Sequence, residues 1–356
     1  MSSTPELGLI EGFFGRPWSW EERRETVSFL APYGYRFYFY APKADTYLRK
    51  RWQEPHPDSE MQKLAALRAH CRAEGVRFGL GLSPFELHLH ADEDWKAPLA
   101  AKLDALAELE PEDLAILFDD MRGDIPDLAA RQAAIVHFAA EHPVAERLLF
   151  CPSYYSDDPI LDVAFGQRPQ GYLEDLGRLL DPAVGVFWTG EEVCSAEYSP
   201  GHLERVAEAL RRRPVLWDNY PVNDGARMSQ HLHLRGFSGR PASIGSHLAG
   251  HAINPASQAV LSRIPALTLA ESYRAGDAYQ YGAAFERAAE AVLGPALARR
   301  VRLDLLVLQD RGRDRLGERV ERLRERYAAF DHPGAREIVD WLDGRWAVTE
   351  EEVQTQ

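Results

Sequence analysis

Two acidic side chains stand next to each other at Asp119 and Asp120, directly after the apolar run Leu114-Ala-Ile-Leu-Phe118. Such a run reads as a buried strand, so both acids fall where that strand ends. Adjacent carboxylates repel, and folding alone has no use for them there. Proton chemistry does, because like charges side by side push one carboxyl pKa up: one group acts as an acid while its neighbour stays ionised. The alternative reading is structural. An Asp after a strand forms turns or caps helices, and Asp124 and Asp127 share the same stretch.

Other chemistries leave weaker traces. His88-Leu-His90 and His231-Leu-His233 are HxH pairs, and Asp119, Asp120 and Asp124 together offer oxygen ligands. Neither HxH pair brings a third fixed partner, so no metal site is assigned. No GxSxG marks a serine nucleophile. Glu11-Gly-Phe-Phe-Gly15 is not GxGxxG, and nothing matches GxxxxGK[ST].

The elements that must position the acid pair alternate along the chain. Strand-like runs occur at 7–10, 35–40, 76–82, 114–118, 147–151, 185–188, 214–217 and 247–253, with helical stretches between them. Ser19 with Glu22 reads as the capping box of the first helix. Eight strand–helix units over residues 5–275 predict an α/β fold of the (β/α)8 TIM-barrel type. Residues 276–350 contain four helical stretches and no strand, and predict a C-terminal helical region; 350–356 reads as a polar tail. The Arg-rich run 311–326 alternates with acids and reads as a solvated helix face.

In such barrels the active site lies at the C-terminal ends of the strands. Gly12, Lys43, Asp119, Asp120, Tyr155, Trp188, Trp217, Asn219, Asp224 and Asn254 all fall there. Two aromatic plates, short amides and acids, one lysine and an acid pair suit a polyhydroxylated ring. Its hydroxyls take paired polar partners, and its apolar face packs on an indole or phenol. Singly, each has a plain reading: Trp188 and Trp217 as core aromatics, Asn219 and Asn254 as turn formers beside prolines, Lys43 as a surface partner of Asp45. Convergence on one face is what the plain readings leave unexplained.

The formal net charge of −14 argues against nucleic acid or an anionic membrane as partner. Only five of the 41 basic residues are lysine, which singles out Lys43. Cys71, Cys151 and Cys194 are odd in number, far apart and without a CxxC, so neither a disulfide framework nor a zinc ribbon is expected. The start of the chain lacks the pattern of a signal peptide, and no apolar run approaches the ~20 residues of a membrane helix. A cytoplasmic protein is expected. The helical region is a candidate homodimer surface and is equally consistent with a monomer.

Six stretches, in order, carry a family resemblance: Glu11-Gly-Phe-Phe-Gly-Arg-Pro-Trp18, Tyr40-Ala-Pro-Lys43, Phe118-Asp-Asp120, Cys151-Pro-Ser-Tyr-Tyr155, Trp188-Thr-Gly190 and Trp217-Asp-Asn-Tyr-Pro-Val-Asn-Asp224. The chain resembles the family 84 glycoside hydrolases, the β-N-acetylglucosaminidases that include protein O-GlcNAcases and enzymes named hyaluronidases. The resemblance implies retaining hydrolysis of terminal β-linked N-acetylglucosamine, on a glycan or an O-GlcNAc-modified protein. The substrate's own acetamide would act as nucleophile through an oxazoline, with no external cofactor. By the same resemblance, Asp119 would orient the acetamide N–H, and Asp120 would be general acid and then base. Tyr155 would bond the acetamide oxygen, and Cys151 and Trp217 would line the acetyl pocket. Gly12, Lys43, Asn219, Asp224 and Asn254 would hold the sugar hydroxyls. The sequence departs from the family pattern at Phe14, where Tyr is usual, at Ala44, where Asp is common, and at Ser156, where Gly is commoner.

Overall fold

A computed structural model describes residues 4–90 and 94–356. Eight parallel strands close into a barrel in sequence order. They are β1 Leu7–Glu11, β2 Tyr35–Tyr40, β3 Arg77–Leu82, β4 Asp113–Leu117, β5 Arg147–Cys151, β6 Gly185–Trp188, β7 Val215–Asp218 and β8 Gly250–Ile253. Closure is made where β1 pairs with β8, Leu7 opposite His251. The (β/α)8 expectation is met strand for strand. The eighth strand is shorter than the sequence suggests, because residues 242–247 wind into a 3₁₀ turn before it.

The barrel interior is filled by side chains. Phe37 and Phe39 pack edge to face, as do Phe39 and Phe187. Space for these rings comes from small neighbours: a Cβ on Gly79 would lie 2.5 Å from the Phe39 ring. The floor is closed by ions. Arg77 donates to Glu6 at 2.6 Å and to Asp113 at 3.0 Å, with Arg147 alongside. This is the end of a barrel given to stability rather than chemistry.

The outer helices are α1 Trp20–Leu30, α2 Asp58–Ala73, α3 Lys96–Ala107, α4 Leu128–Ala140, α5 Ile160–Phe165, α6 Tyr172–Leu179, α7 Pro200–Leu210 and α8 Ala259–Ala275. The Ser19–Glu22 capping box opens α1. Helix α8 lies between the barrel and the helices that follow, and 14 of its 17 residues are buried.

After α8 come α9 Tyr281–Leu305, α10 Arg319–Ala328 and α11 Pro333–Leu342. The first of these breaks at Gly294 (φ 70°), just before Pro295. Two helical stretches were expected there, and this junction separates them. Glu337 of α11 fastens this layer to the barrel: its carboxylate accepts from the Val260 and Leu261 N–H groups at 2.8 and 2.9 Å, the open first turn of α8. Residues 350–356 are not a loose polar tail. Thr349 and Glu352 form a capping box, and Glu350–Thr355 is a further helix, α12. Among the described residues, no helix is long and apolar enough to cross a membrane.

Candidate active site

The C-terminal mouth of the barrel holds a cavity of about 240 Å³. Gly12, Asp119, Asp120, Cys151, Tyr155, Trp217, Asn219, Asp224 and Asn254 all stand in its wall. Nine of the residues expected from the sequence are thus brought together. Lys43, the tenth, reaches the same acids from behind.

Lys43 is buried and stands between the two carboxylates. Its ammonium bonds Asp119 Oδ2 and lies 3.2 Å from Asp120 Oδ2. It is not the surface partner of Asp45, which instead accepts from Tyr40 at 3.0 Å and sits 3.1 Å from His56. Asp119 is buried, and its Oδ1 has no hydrogen-bond partner among the described residues. A buried, unpaired acceptor is costly unless a donor meets it.

Asp120 adopts a left-handed backbone conformation, φ 58°, and its carboxylate stands in the cavity wall. Short polar residues tolerate this conformation best. The Tyr155 O–H donates to Asp120 Oδ1 at 3.0 Å. Burial pushes the Asp120 carboxyl up. The Lys43 and Arg49 cations and the Tyr155 hydrogen bond act together against it and hold the group below its ordinary range. Repulsion within the pair was expected to dominate; the lysine placed between them overrides it. Tyr155 itself is pushed well above 10 by burial and by the Asp120 charge, so its phenol remains a donor.

The opposite wall is built from amides. Gly12 N–H donates to Asn254 Oδ1 at 3.4 Å, Asn254 Nδ2 to Asn219 Oδ1 at 3.0 Å, and Asn219 Nδ2 to the Val193 carbonyl at 2.8 Å. This chain ties β1, β8, β7 and the loop after β6 together and fixes the side-chain amides facing the cavity. Trp217 crosses over Gly12 so closely that a Cβ there would lie 2.4 Å from the indole. Asp224 accepts from the Phe14 N–H at 2.9 Å. Burial is the main cause that lifts its carboxyl to about 6, with the Asp120 charge adding to it.

Trp188 is a correction. It is fully buried but faces away from the cavity, donating its indole N–H to His202 of α7 at 3.0 Å. Its neighbour Phe187 points inward against Trp217, and successive strand residues face opposite ways. The second tryptophan plate is therefore not at the cavity; Phe14, Tyr155 and Trp217 are the rings in its wall.

Several further wall residues were not site candidates: Phe14, Thr189 and Val222, which lie inside the quoted motifs, and Val193, Cys194, Gly225, Met228 and Val353, which lie outside them. Three of the four HxH histidines are engaged elsewhere. His88 Nε2 lies 2.6 Å from the Arg122 carbonyl, His231 Nδ1 2.6 Å from that of Gln309 and His233 Nδ1 3.0 Å from that of Pro221. Among the described residues, no three His, Cys, Asp or Glu side chains group as a cation site.

A family model described as beta-N-acetylglucosaminidase matches residues 7–306. The chain belongs to the β-N-acetylglucosaminidase family. The matched span covers the whole barrel and α8, and runs through the end of α9. The chain is similar to the protein O-GlcNAcases of Rattus norvegicus and Mus musculus. Each is 30% identical over 276 residues, 75% of this chain. The chain spans only about 30% of the length of those relatives. Among solved structures, a mutant O-GlcNAc hydrolase of Thermobaculum terrenum superposes with a TM-score of 0.78 at 27% identity. That match covers 95% of this chain and 80% of the other.

Proposed function

We propose that the chain is a retaining exo-β-N-acetylglucosaminidase, similar in action to the O-GlcNAcases, which removes terminal β-linked N-acetylglucosamine by substrate-assisted catalysis. The observation that carries the mechanism is the unpaired Oδ1 of Asp119, buried beside Asp120. An acetamide N–H is the donor that completes it.

With that N–H held by Asp119, the acetamide oxygen attacks C1 from within the substrate. The C1–O bond to the leaving group breaks, and Asp120 gives its proton to the departing oxygen. The products of this step are the free aglycone and an oxazoline, the acetamide N–H proton passing to Asp119 and returning to nitrogen when the ring opens. Water then adds to C1, Asp120 takes its proton, and the acetamide re-forms with net retention. Tyr155 steadies the acetamide oxygen, and Cys151 with Trp217 surrounds its methyl. Lys43, Asn219, Asp224, Asn254 and the Gly12 carbonyl hold the ring hydroxyls. No cofactor takes part.

Asp120 must carry a proton at the first step, although Lys43 and Arg49 favour its ionised form. A sugar in the cavity supplies what is needed. Its hydroxyls engage the Lys43 ammonium, and its bulk excludes water from the carboxyl, which strengthens the effect of burial.

We take residues 5–275 as the catalytic barrel and 276–350 as a helical region that supports it. Three unpaired cysteines fit a reducing, cytoplasmic setting. The test is release of 4-nitrophenol from its β-N-acetylglucosaminide in EDTA by the wild type, Asp119→Asn and Asp120→Asn. Turnover by the wild type that collapses in Asp119→Asn and falls in Asp120→Asn supports the reading. A folded wild type without turnover overturns it.

A further inference from the structure

The polypeptide after Trp346 returns across the mouth of the barrel. Trp346 is buried beneath Arg16, whose guanidinium lies 4.8 Å from the ring centroid. Val348 is buried too; its N–H donates to Ser229 Oγ at 3.1 Å, and its methyl occupies the space a side chain on Gly15 would need. Up to this point the segment is anchored by packing. Beyond it the character changes, since α12 contains no buried residue. Two polar ties hold it: Gly15 and Gln356 are paired by two hydrogen bonds, Gly15 N–H to Gln356 Oε1 at 2.8 Å and Gln356 Nε2 to the Gly15 carbonyl at 3.5 Å, and Lys50 Nζ donates to the Gln354 carbonyl at 3.3 Å.

This lightly held helix stands at the site. Val353 forms part of the wall of the 240 Å³ cavity that contains Asp119 and Asp120. The same side chain borders a groove of about 960 Å³ outside it, flanked by Arg227, His231, Asp310 and Glu350. Gly225 and Met228 are likewise common to both spaces, so Val353 is a partition in one continuous depression. The inner space is smaller than the roughly 300 Å³ at which ordinary ligand cavities begin. It accommodates a single sugar; a bulky leaving group has to extend past the partition.

We infer that Val353 on α12 determines which leaving groups the site accepts. Packed as here, α12 favours small aglycones; swung about the Val348–Thr349 junction, it joins the sugar cavity to the outer groove and admits a polypeptide chain. This rests on the proposed glycosidase reading. The groove's exposed lining is mainly apolar, with Arg227, Asp310 and Glu350 along it, a mixture that suits a polypeptide, which brings both apolar side chains and polar groups.

The experiment cuts both ties outside the sugar cavity with the double variant Lys50→Ala/Gln356→Ala. The expected result is a rise of about tenfold in kcat/KM for a peptide bearing O-linked N-acetylglucosamine, against a change within about twofold for the 4-nitrophenyl glycoside. Conversely, Val353→Trp thickens the partition and lowers the peptide-to-aryl ratio. An unchanged ratio in both variants overturns the inference. A wild type that turns over neither substrate overturns the glycosidase reading instead. Calorimetric affinity for the glycopeptide relative to free N-acetylglucosamine then makes the same comparison, with the same shift expected and an unchanged ratio again fatal.

Discussion

Tyr155 donates its phenolic hydrogen to Asp120 across 3.0 Å, joining the end of β5 to the turn after β4. The bond favours the charged carboxylate, so removing it makes protonation easier. Tyr155→Phe therefore moves the limb of the pH–kcat/KM profile that reports Asp120 to higher pH. It also lowers kcat, because the acetamide oxygen loses a partner. Rate profiles of wild type and variant over the same pH range check both effects. An unmoved limb separates Tyr155 from Asp120.

Asp120→Asn removes the proton donor and keeps the shape. For a glycoside with a poor leaving group, such as an O-linked serine, kcat falls by about 10²–10⁴-fold. For the 4-nitrophenyl glycoside the first step falls much less, because that oxygen leaves with little protonation. Parallel assays of the two substrates read the difference. Equal losses on both place Asp120 in some role other than acid.

Lys43→Met takes the ammonium from between two carboxylates, one of them deeply buried. Breaking a buried pair from one side costs about 3–5 kcal/mol, read as a drop in urea midpoint at neutral pH. At low pH, where the orphaned acids become protonated, the loss shrinks. A variant as stable as wild type at pH 7 contradicts the placement of Lys43.

Asp224 titrates at about 6 rather than 3.8, chiefly because it is buried. Below that pH it is neutral and loses half its accepting capacity for a sugar hydroxyl. Consequently kcat/KM of the free enzyme falls as pH drops through about 6, and Asp224→Asn abolishes that limb. The linkage to stability has the opposite sense. The fold favours the protonated form, so this residue's contribution is full below 3.8 and is lost as pH rises to about 6. Thermal unfolding of wild type and Asp224→Asn across pH 4–7 displays it.

Gly12→Ala places a methyl 2.4 Å from the Trp217 indole. Because backbone on one side and a packed ring on the other leave no room, Trp217 moves out of the cavity wall. KM for the aryl glycoside rises about tenfold or more, with a small change in Tm. A KM equal to that of wild type removes Trp217 from the acetyl pocket.

The barrel was legible because its strands are short apolar runs and all but the seventh are followed by an α-helix, and because its chemistry collects at strand ends. Asp119 and Asp120 sit just past β4, where the run Leu114–Phe118 places them. Trp188 misled for a physical reason. Strand position gives the end of the barrel but not the face. A four-residue strand with two aromatics side by side must send one inward and one outward, and here Phe187 takes the interior. Helix α12 was hidden by its polarity, although Thr349 and Glu352 already spell its cap. What no local pattern announces is that its Val353 reaches a cavity built by residues from 99 to 341 positions earlier. Arg49, which helps hold Asp120 ionised, gives no signal either.

The backbone at Asp120 has a practical consequence. Most side chains resist a φ of 58°, but asparagine enters that region readily. Asp120→Asn therefore leaves the turn, the Tyr155 contact and the rest of the wall in place while the proton donor is gone. A chain altered in this one position would grip terminal N-acetylglucosamine and release it uncut. It would serve as a capture reagent for the sugar, made from the enzyme by one exchange of oxygen for nitrogen.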